Sequence, residues 1–149
     1  MTDLDKKILV IDPNRSERND ITTYLRSMNF SVETGNGLRE AVEKINKDYF
    51  EYLIMDVELP EMKGYEAISI IKGIAPEIKI IMTVKKNSKR LETKVRKQDI
   101  LFYFIKSFKK EELKIAITNA SENRQQINRQ NRTDLTNNYD SEKDHCKKV

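Results

Sequence analysis

Tyr52-Leu53-Ile54-Met55-Asp56-Val57-Glu58-Leu59-Pro60-Glu61-Met62-Lys63-Gly64 is the stretch on which the reading of this chain turns. Four consecutive apolar residues stop at a carboxylate, and a loop carrying strong breakers follows. A continuous apolar run of this length is what a strand buried on both faces shows, because neither face alternates toward water. Pro60 and Gly64 end the run and let a new element begin. Ala67, Ile68 and Ile71 then mark a short helix, and Pro76 stops it.

The same unit recurs on either side. Upstream, Ile8-Leu9-Val10-Ile11 stops at Asp12-Pro13, and Ile21, Tyr24, Leu25 and Met28 repeat at i, i+3, i+4 and i+7, one apolar helix stripe. Asp12 with Pro13 predicts a helix start there, an N-cap with proline at the first helical position. Phe30-Ser31-Val32 is a weaker strand ending in the turn Gly35-Asn36-Gly37, and Leu38, Ala41, Val42 and Ile45 form the next stripe. Downstream, Ile78-Lys79-Ile80-Ile81-Met82 ends at Thr83. Ser88 to Gln98 reads as a charged, weakly packed helix with only Leu91 and Val95 inward. Phe102-Tyr103-Phe104-Ile105 ends at Lys106, and Leu113, Ala116, Ile117 and Ala120 make a fifth stripe.

Five strand–helix pairs predict an α/β fold, because parallel strands need crossover helices. Right-handed crossovers leave the doubly wound five-stranded parallel sheet of order 2-1-3-4-5, flavodoxin-like, with five helices. The folded domain is expected over residues 1–122. Residues 123–149 are rich in Asn, Gln, Arg and Asp, with Ile127 and Leu135 nearly their only aliphatics. That segment cannot bury enough surface to offset its ordering entropy and is expected to be a disordered tail.

Composition narrows the function. The chain has 149 residues, 28 Lys+Arg against 24 Asp+Glu, and a net charge of +4. No apolar run approaches the roughly 18 residues a membrane helix needs, and no charged-then-apolar leader opens the chain, so neither a spanning nor a secreted protein is expected. The single cysteine, Cys146, excludes an internal disulfide framework and a cysteine-cluster zinc site, and suits the cytoplasm. His145 and Cys146 have no partners at metal spacing. Charge is uneven: residues 1–78 carry −5, residues 79–114 carry +8, and residues 115–149 carry +1. Lys85-Lys86 and Lys94 to Lys97 lack interleaved aromatics or a recognition motif, so they read as a solvated face and nucleic acid is not an expected partner. A flavin or nucleotide carrier would need a glycine-rich phosphate loop after the first strand, and there is none.

Asp12, Asp56, Thr83 and Lys106 each directly follow an apolar strand run. In an open parallel sheet, ligands bind outside the carboxyl ends of the strands, where the strand order reverses. In the order 2-1-3-4-5 the first and third strands flank that point, so Asp12 and Asp56 face one another with Thr83 and Lys106 alongside. Two carboxylates, a hydroxyl and an ammonium suit phosphoryl transfer to a carboxylate nucleophile. Mg²⁺ offsets the repulsion between carboxylate and phosphate, and Lys106 and Thr83 hold phosphoryl oxygens. Such catalysis is mostly positioning and electrostatics.

At these residues the chain resembles the receiver domain of two-component response regulators, of the single-domain chemotaxis type. The matching segments are Ile8 to Asp12, Leu53 to Gly64 with its Asp-x-x-x-Pro-x-x-x-Gly loop, Ile80 to Thr83, and Tyr103 to Phe108. The resemblance implies a stand-alone phosphorelay protein, not an enzyme in its own right, that takes a phosphoryl group on Asp56 from a histidine kinase or phosphotransfer protein. It implies that Asp12, Asp56 and the Glu58 backbone carbonyl bind Mg²⁺, and that Thr83 and Lys106 hold the phosphoryl group. It further implies that Tyr103 is the aromatic switch, and that a downstream protein reads the region 85–118.

Two departures support an alternative, a pseudo-receiver that binds partners without phosphorylation. Receivers carry an acidic pair after the first strand, and here its second member is Pro13. That loss weakens Mg²⁺ binding, and Glu17 and Glu58 are the acids available to compensate. Ser107 replaces the proline that follows the lysine, so the Lys106–Ser107 bond is expected to be trans. Val84 replaces a small residue after Thr83 and narrows the approach to the site.

Overall fold

The computed structural model describes residues 6–106 and 109–122. Among these the elements alternate strictly: β1 (Lys7–Ile11), α1 (Arg15–Ser27), β2 (Ser31–Gly35), α2 (Leu38–Lys47), β3 (Tyr52–Asp56), α3 (Gly64–Ile74), β4 (Lys79–Val84), α4 (Lys89–Arg96), β5 (Phe102–Ile105) and α5 (Lys110–Glu122). Every strand pairing is parallel and the order is β2-β1-β3-β4-β5, the expected doubly wound sheet.

Burial follows position in the sheet. The apolar residues of the central strands β1, β3 and β4 are almost without solvent exposure, including Ile8 to Ile11, Tyr52 to Met55 and Ile80 to Met82. Truncating one such Leu or Ile to Ala costs about 2–5 kcal/mol, through lost transfer energy and the cavity left behind. The edge strand β5 differs: Tyr103 is buried, Phe102 and Phe104 are half-buried, and Ile105 is exposed. Phe102 and Phe104 share a face, with ring centroids 5.9 Å apart.

The helices bury most of the anticipated stripes, Ile21 and Leu25 on α1, Leu38, Ala41 and Ile45 on α2, and Ala67, Ile68 and Ile71 on α3, while Tyr24, Met28 and Val42 are half-buried. Helix α4 buries only Val95, with Leu91 half-buried and Ser88 capping Leu91 N. Two local expectations change. β2 runs to Gly35, because the Gly35 carbonyl accepts a bond from Asp12 N (3.1 Å) and extends the ladder into the expected turn. The cap of α1 is Asn14, whose side chain accepts from Glu17 N at 2.9 Å. Asp12 instead accepts from Asn14 N (2.9 Å), which leaves Pro13 outside the helix and frees the Asp12 carboxylate to face the sheet edge.

The chain divides into two compact units, and the second opens at Lys109 and is represented here by α5, in which Leu113, Ala116 and Ile117 are buried. The expected tail, 123–149, with His145 and Cys146, and the expected trans bond to Ser107 lie outside the described residues. No described helix is long and apolar enough to cross a membrane.

Candidate functional site

Register brings the four strand-end residues to one rim. Ile11 pairs with Met55, which sets Asp12 beside Asp56, and Asp56 pairs directly with Thr83. Lys106 N donates to the Val84 carbonyl (2.7 Å), continuing the ladder beyond Ile105. Asp12, Asp56 and Thr83 are 2%, 4% and 1% exposed, so this polar group is as buried as the core beneath it.

The Lys106 ammonium is the hub. Its Nζ lies 2.7 Å from Asp12 Oδ2, 2.7 Å from Asp56 Oδ1 and 2.5 Å from Glu17 Oε1. The Thr83 hydroxyl donates to Asp56 Oδ1 at 3.3 Å, and Glu58 N donates to Asp56 Oδ2 at 2.8 Å. Arg18 reaches back from α1 to the Asp12 carbonyl at 2.7 Å and ties the loop to its helix.

Three carboxylates around one ammonium leave excess negative charge in a poorly hydrated place. Desolvation raises the Asp12 pKa above its ordinary value; the bonds from Lys106 and Asn14 oppose this, and the Asp56 charge adds to it. Burial works to lower the Lys106 pKa, but the bonds to Asp12, Asp56 and Glu17 win and raise it.

The loop after Asp56 is held by close backbone contact. Gly64 N donates to the Val57 carbonyl at 2.6 Å, and a Cβ on Gly64 would sit 2.3 Å from the Asp56 carbonyl oxygen. Only glycine permits that approach. Further along the loop, Glu61 accepts from the free N–H groups of Leu38 (2.8 Å) and Arg39 (3.2 Å), fastening it to the start of α2.

Asp12 Oδ2 is buried and makes no hydrogen bond of good geometry, meeting only the Lys106 charge. A buried carboxylate oxygen met only by an ion pair, beside a second carboxylate, suits a hard divalent cation. Among the described residues no three Asp, Glu, His or Cys side chains gather as a metal cage. Asp12 and Asp56 are the two carboxylates at this rim that could hold such an ion, two hard oxygen donors of the kind Mg²⁺ takes.

Tyr103 stands apart from the carboxylates. Its hydroxyl donates to Asn87 Oδ1 at 2.5 Å, and Asn87 Nδ2 donates to Glu92 on α4 at 3.2 Å. Burial, with the charges of Glu92 and Asp56, pushes the Tyr103 pKa up to about 12. The Glu58 side chain pairs with Lys63 (2.7 Å), outside the Lys106 cluster. Asn87 was not legible as a site neighbour, because a polar loop residue before Ser88 carries no distinguishing pattern. Glu17 could be found: it stands one helical turn beyond Pro13.

A family model described as the response regulator receiver domain matches residues 8–118. The chain belongs to that family. Receivers are signalling modules of two-component systems, and this one shows the family's sheet order. The chain is 26% identical over 113 residues to the transcriptional regulatory protein ZraR of Klebsiella oxytoca, a match covering 76% of this chain and 26% of that protein. It is 27% identical over 143 residues to the response regulator protein TodT of Pseudomonas putida F1, covering 95% of this chain and 63% of TodT. The matches thus span about a quarter to under two thirds of these relatives. A response regulator of Burkholderia pseudomallei, solved with a phosphorylated aspartic acid, calcium ion and citrate, shares the fold at TM-score 0.70 and 24% identity, covering 82% of this chain and 72% of that one.

Proposed function

We propose that this receiver accepts a phosphoryl group on Asp56 and passes the signal to a protein partner through the segment that includes α4. The observation that carries this reading is the Lys106 ammonium bonded to both Asp12 and Asp56, with the Thr83 hydroxyl on the same Asp56 oxygen. These groups can neutralise and orient an arriving phosphate at the rim where open α/β sheets bind ligands.

An Asp56 carboxylate oxygen forms the new P–O bond as the donor's bond to phosphorus breaks, and the leaving group departs with the electron pair. With a histidine kinase or phosphotransfer protein the leaving group is an imidazole. Lys106 exchanges its contact with Asp56 for a phosphoryl oxygen, and Thr83 turns its hydroxyl to another. Asp12, Asp56 and the Glu58 carbonyl would hold Mg²⁺, which screens the charge between the carboxylates and the phosphate. The Burkholderia pseudomallei relative, with its phosphorylated aspartate and calcium ion, supports both parts of the reading. Tyr103 stands on β5, the strand next to that of Thr83, and its contacts to Asn87 and onward to Glu92 reach α4. The signal is then a population shift biased by charge at one sheet edge.

Incubation with acetyl phosphate and Mg²⁺, followed by intact mass, tests this. One phosphoryl adduct is expected, absent in Asp56→Ala; an adduct that survives Asp56→Ala contradicts it. The phosphorylation-independent module is the second reading, favoured by Pro13 at the position of the second acid. It requires that Mg²⁺ produce no saturable NMR shifts at Asp12 and Asp56.

A further inference from the structure

The Lys106 ammonium meets three different carboxylates within 2.7 Å. Two come from the strand ends that define the site. The third, Glu17, comes from the first turn of α1, 89 residues away in sequence. Asn14 caps that turn by accepting from Glu17 N, which fixes the backbone from which the side chain departs. Glu17 Oε1 lies 2.5 Å from Lys106 Nζ, and Oε2 lies 3.8 Å from Lys85 Nζ, on a lysine side chain that is 74% exposed. The Glu17 side chain is 27% exposed, so it closes the solvent side of the cluster rather than sitting within it.

The position matters because of what Pro13 lacks. Proline contributes no charge, so the two strand-end acids and Lys106 alone would give the rim a charge of −1. Glu17 brings it to −2, the value one divalent cation neutralises. Lys106 also donates a hydrogen bond to Glu17 Oε1, so Glu17 holds the ammonium from the helix side. Without it, the ammonium would sit more tightly between Asp12 and Asp56 and would compete there with any cation.

We propose that Glu17 takes over the electrostatic task that Pro13 leaves undone. It is a positioning residue that draws the Lys106 ammonium outward and supplies the third negative charge, without itself binding the metal. This rests on the phosphoacceptor reading of Asp56. When that residue is phosphorylated, Lys106 keeps Asp12 and Glu17 and turns its remaining donor to the phosphoryl group. The α1 helix thereby becomes part of the site.

The test is a double-mutant cycle on the full chain, with Glu17→Gln and Pro13→Asp made singly and together. Three quantities are read: Mg²⁺ affinity by calorimetry, the Lys106 ¹⁵Nζ ammonium signal by NMR without metal, and the rate of phosphorylation by acetyl phosphate. Loss of one charge near a divalent ion predicts that Glu17→Gln weakens Mg²⁺ about fivefold at low salt, with the effect shrinking as salt is added. The Lys106 ammonium signal is expected to shift and exchange faster with water. In the Pro13→Asp background the same change is expected to cost less than about twofold in affinity, because the acid at position 13 supplies the missing charge. Unchanged affinity and ammonium signal in Glu17→Gln, or equal losses in both backgrounds, would overturn the proposal. The metal and ammonium readings do not depend on phosphate uptake, so failure of the wild-type protein to be phosphorylated would strike the Asp56 reading while leaving the Glu17 test intact.

Discussion

At the N-terminal side of the sheet, Lys79 at the start of β4 pairs with Glu51, while Lys7 at the start of β1 meets Glu33 (3.3 Å) and Asp48. Lys44 also pairs with Glu33, so three lysines there face three acids. Burial works to raise the Glu51 pKa, but the bond from Lys79 holds it below its ordinary value, and the bond from Lys7 does the same for Asp48. The ammonium groups lie over rings as well, Lys79 Nζ 5.2 Å from the Tyr52 centroid and Lys7 Nζ 5.6 Å from that of Phe50. At the C-terminal side the same groups are unbalanced, with Lys106 the one cation that meets Asp12, Asp56 and Glu17 together, an exposed Lys85 3.8 Å from Glu17, and Asp12 held above its ordinary pKa. The balanced end secures the sheet. The unbalanced end holds excess negative charge that an incoming cation can relieve.

The largest expected effect contrasts the two ends of α3. A Cβ on Gly64 would meet the Asp56 carbonyl oxygen at 2.3 Å and Met82 Cε at 2.7 Å, whereas a Cβ on Gly73 meets nothing within 4 Å. Gly64→Ala is expected to cost about 3 kcal/mol or more in urea denaturation, since backbone must move. Gly73→Ala in the same helix is expected to gain about 0.5–1 kcal/mol from helix propensity. A tolerated Gly64→Ala would show that the loop beneath Asp56 has room to spare.

Next comes removal of the central cation. Lys106→Met leaves the buried Asp12 and Asp56 carboxylates without their cation and is expected to destabilise the metal-free fold by about 3 kcal/mol at neutral pH, with recovery toward acid. Lys79→Met, at the balanced end, is expected to cost about 1 kcal/mol. Equal losses would erase the distinction between the ends.

The smallest effects differ in sign. Folding raises the Asp12 pKa, so the stability this group contributes is present in acid and lost as the pH rises through its folded pKa. Folding lowers the Glu51 pKa, so its contribution is present above its unfolded pKa and lost as the pH falls through its folded pKa. Asp12→Asn is therefore expected to stabilise the protein by about 1 kcal/mol at neutral pH while abolishing Mg²⁺ binding. Glu51→Gln is expected to destabilise it by under about 1 kcal/mol at the same pH. Denaturation curves followed from about pH 3 to 7 should diverge from wild type in opposite directions.

The strand ends were legible because buried parallel strands are continuous apolar runs, and the residue that stops each run is placed by the sheet's own register. The sequence therefore brings Asp12, Asp56, Thr83 and Lys106 to one rim. The start of α1 was not legible in the same way. Asp12-Pro13 and Asn14 both satisfy local capping rules, and the choice falls to Asn14 only because Asp12 is engaged at the sheet edge. Spacing marked Glu17 as an available acid one turn beyond Pro13, but not that it meets Lys106, a partner 89 residues away. Exposure along β5 follows from its edge position rather than its composition, which is as apolar as that of the central strands.

The central claim is that the C-terminal rim delivers a phosphoryl group to one carboxylate. Reductive trapping with borohydride after treatment with acetyl phosphate and Mg²⁺ tests it directly, because an aspartyl phosphate becomes homoserine and peptide mass spectrometry locates it. The account predicts homoserine at position 56, dependent on Mg²⁺ and lost in Lys106→Met. Homoserine at any other aspartate, or trapping at position 56 that ignores both the metal and Lys106, would contradict it.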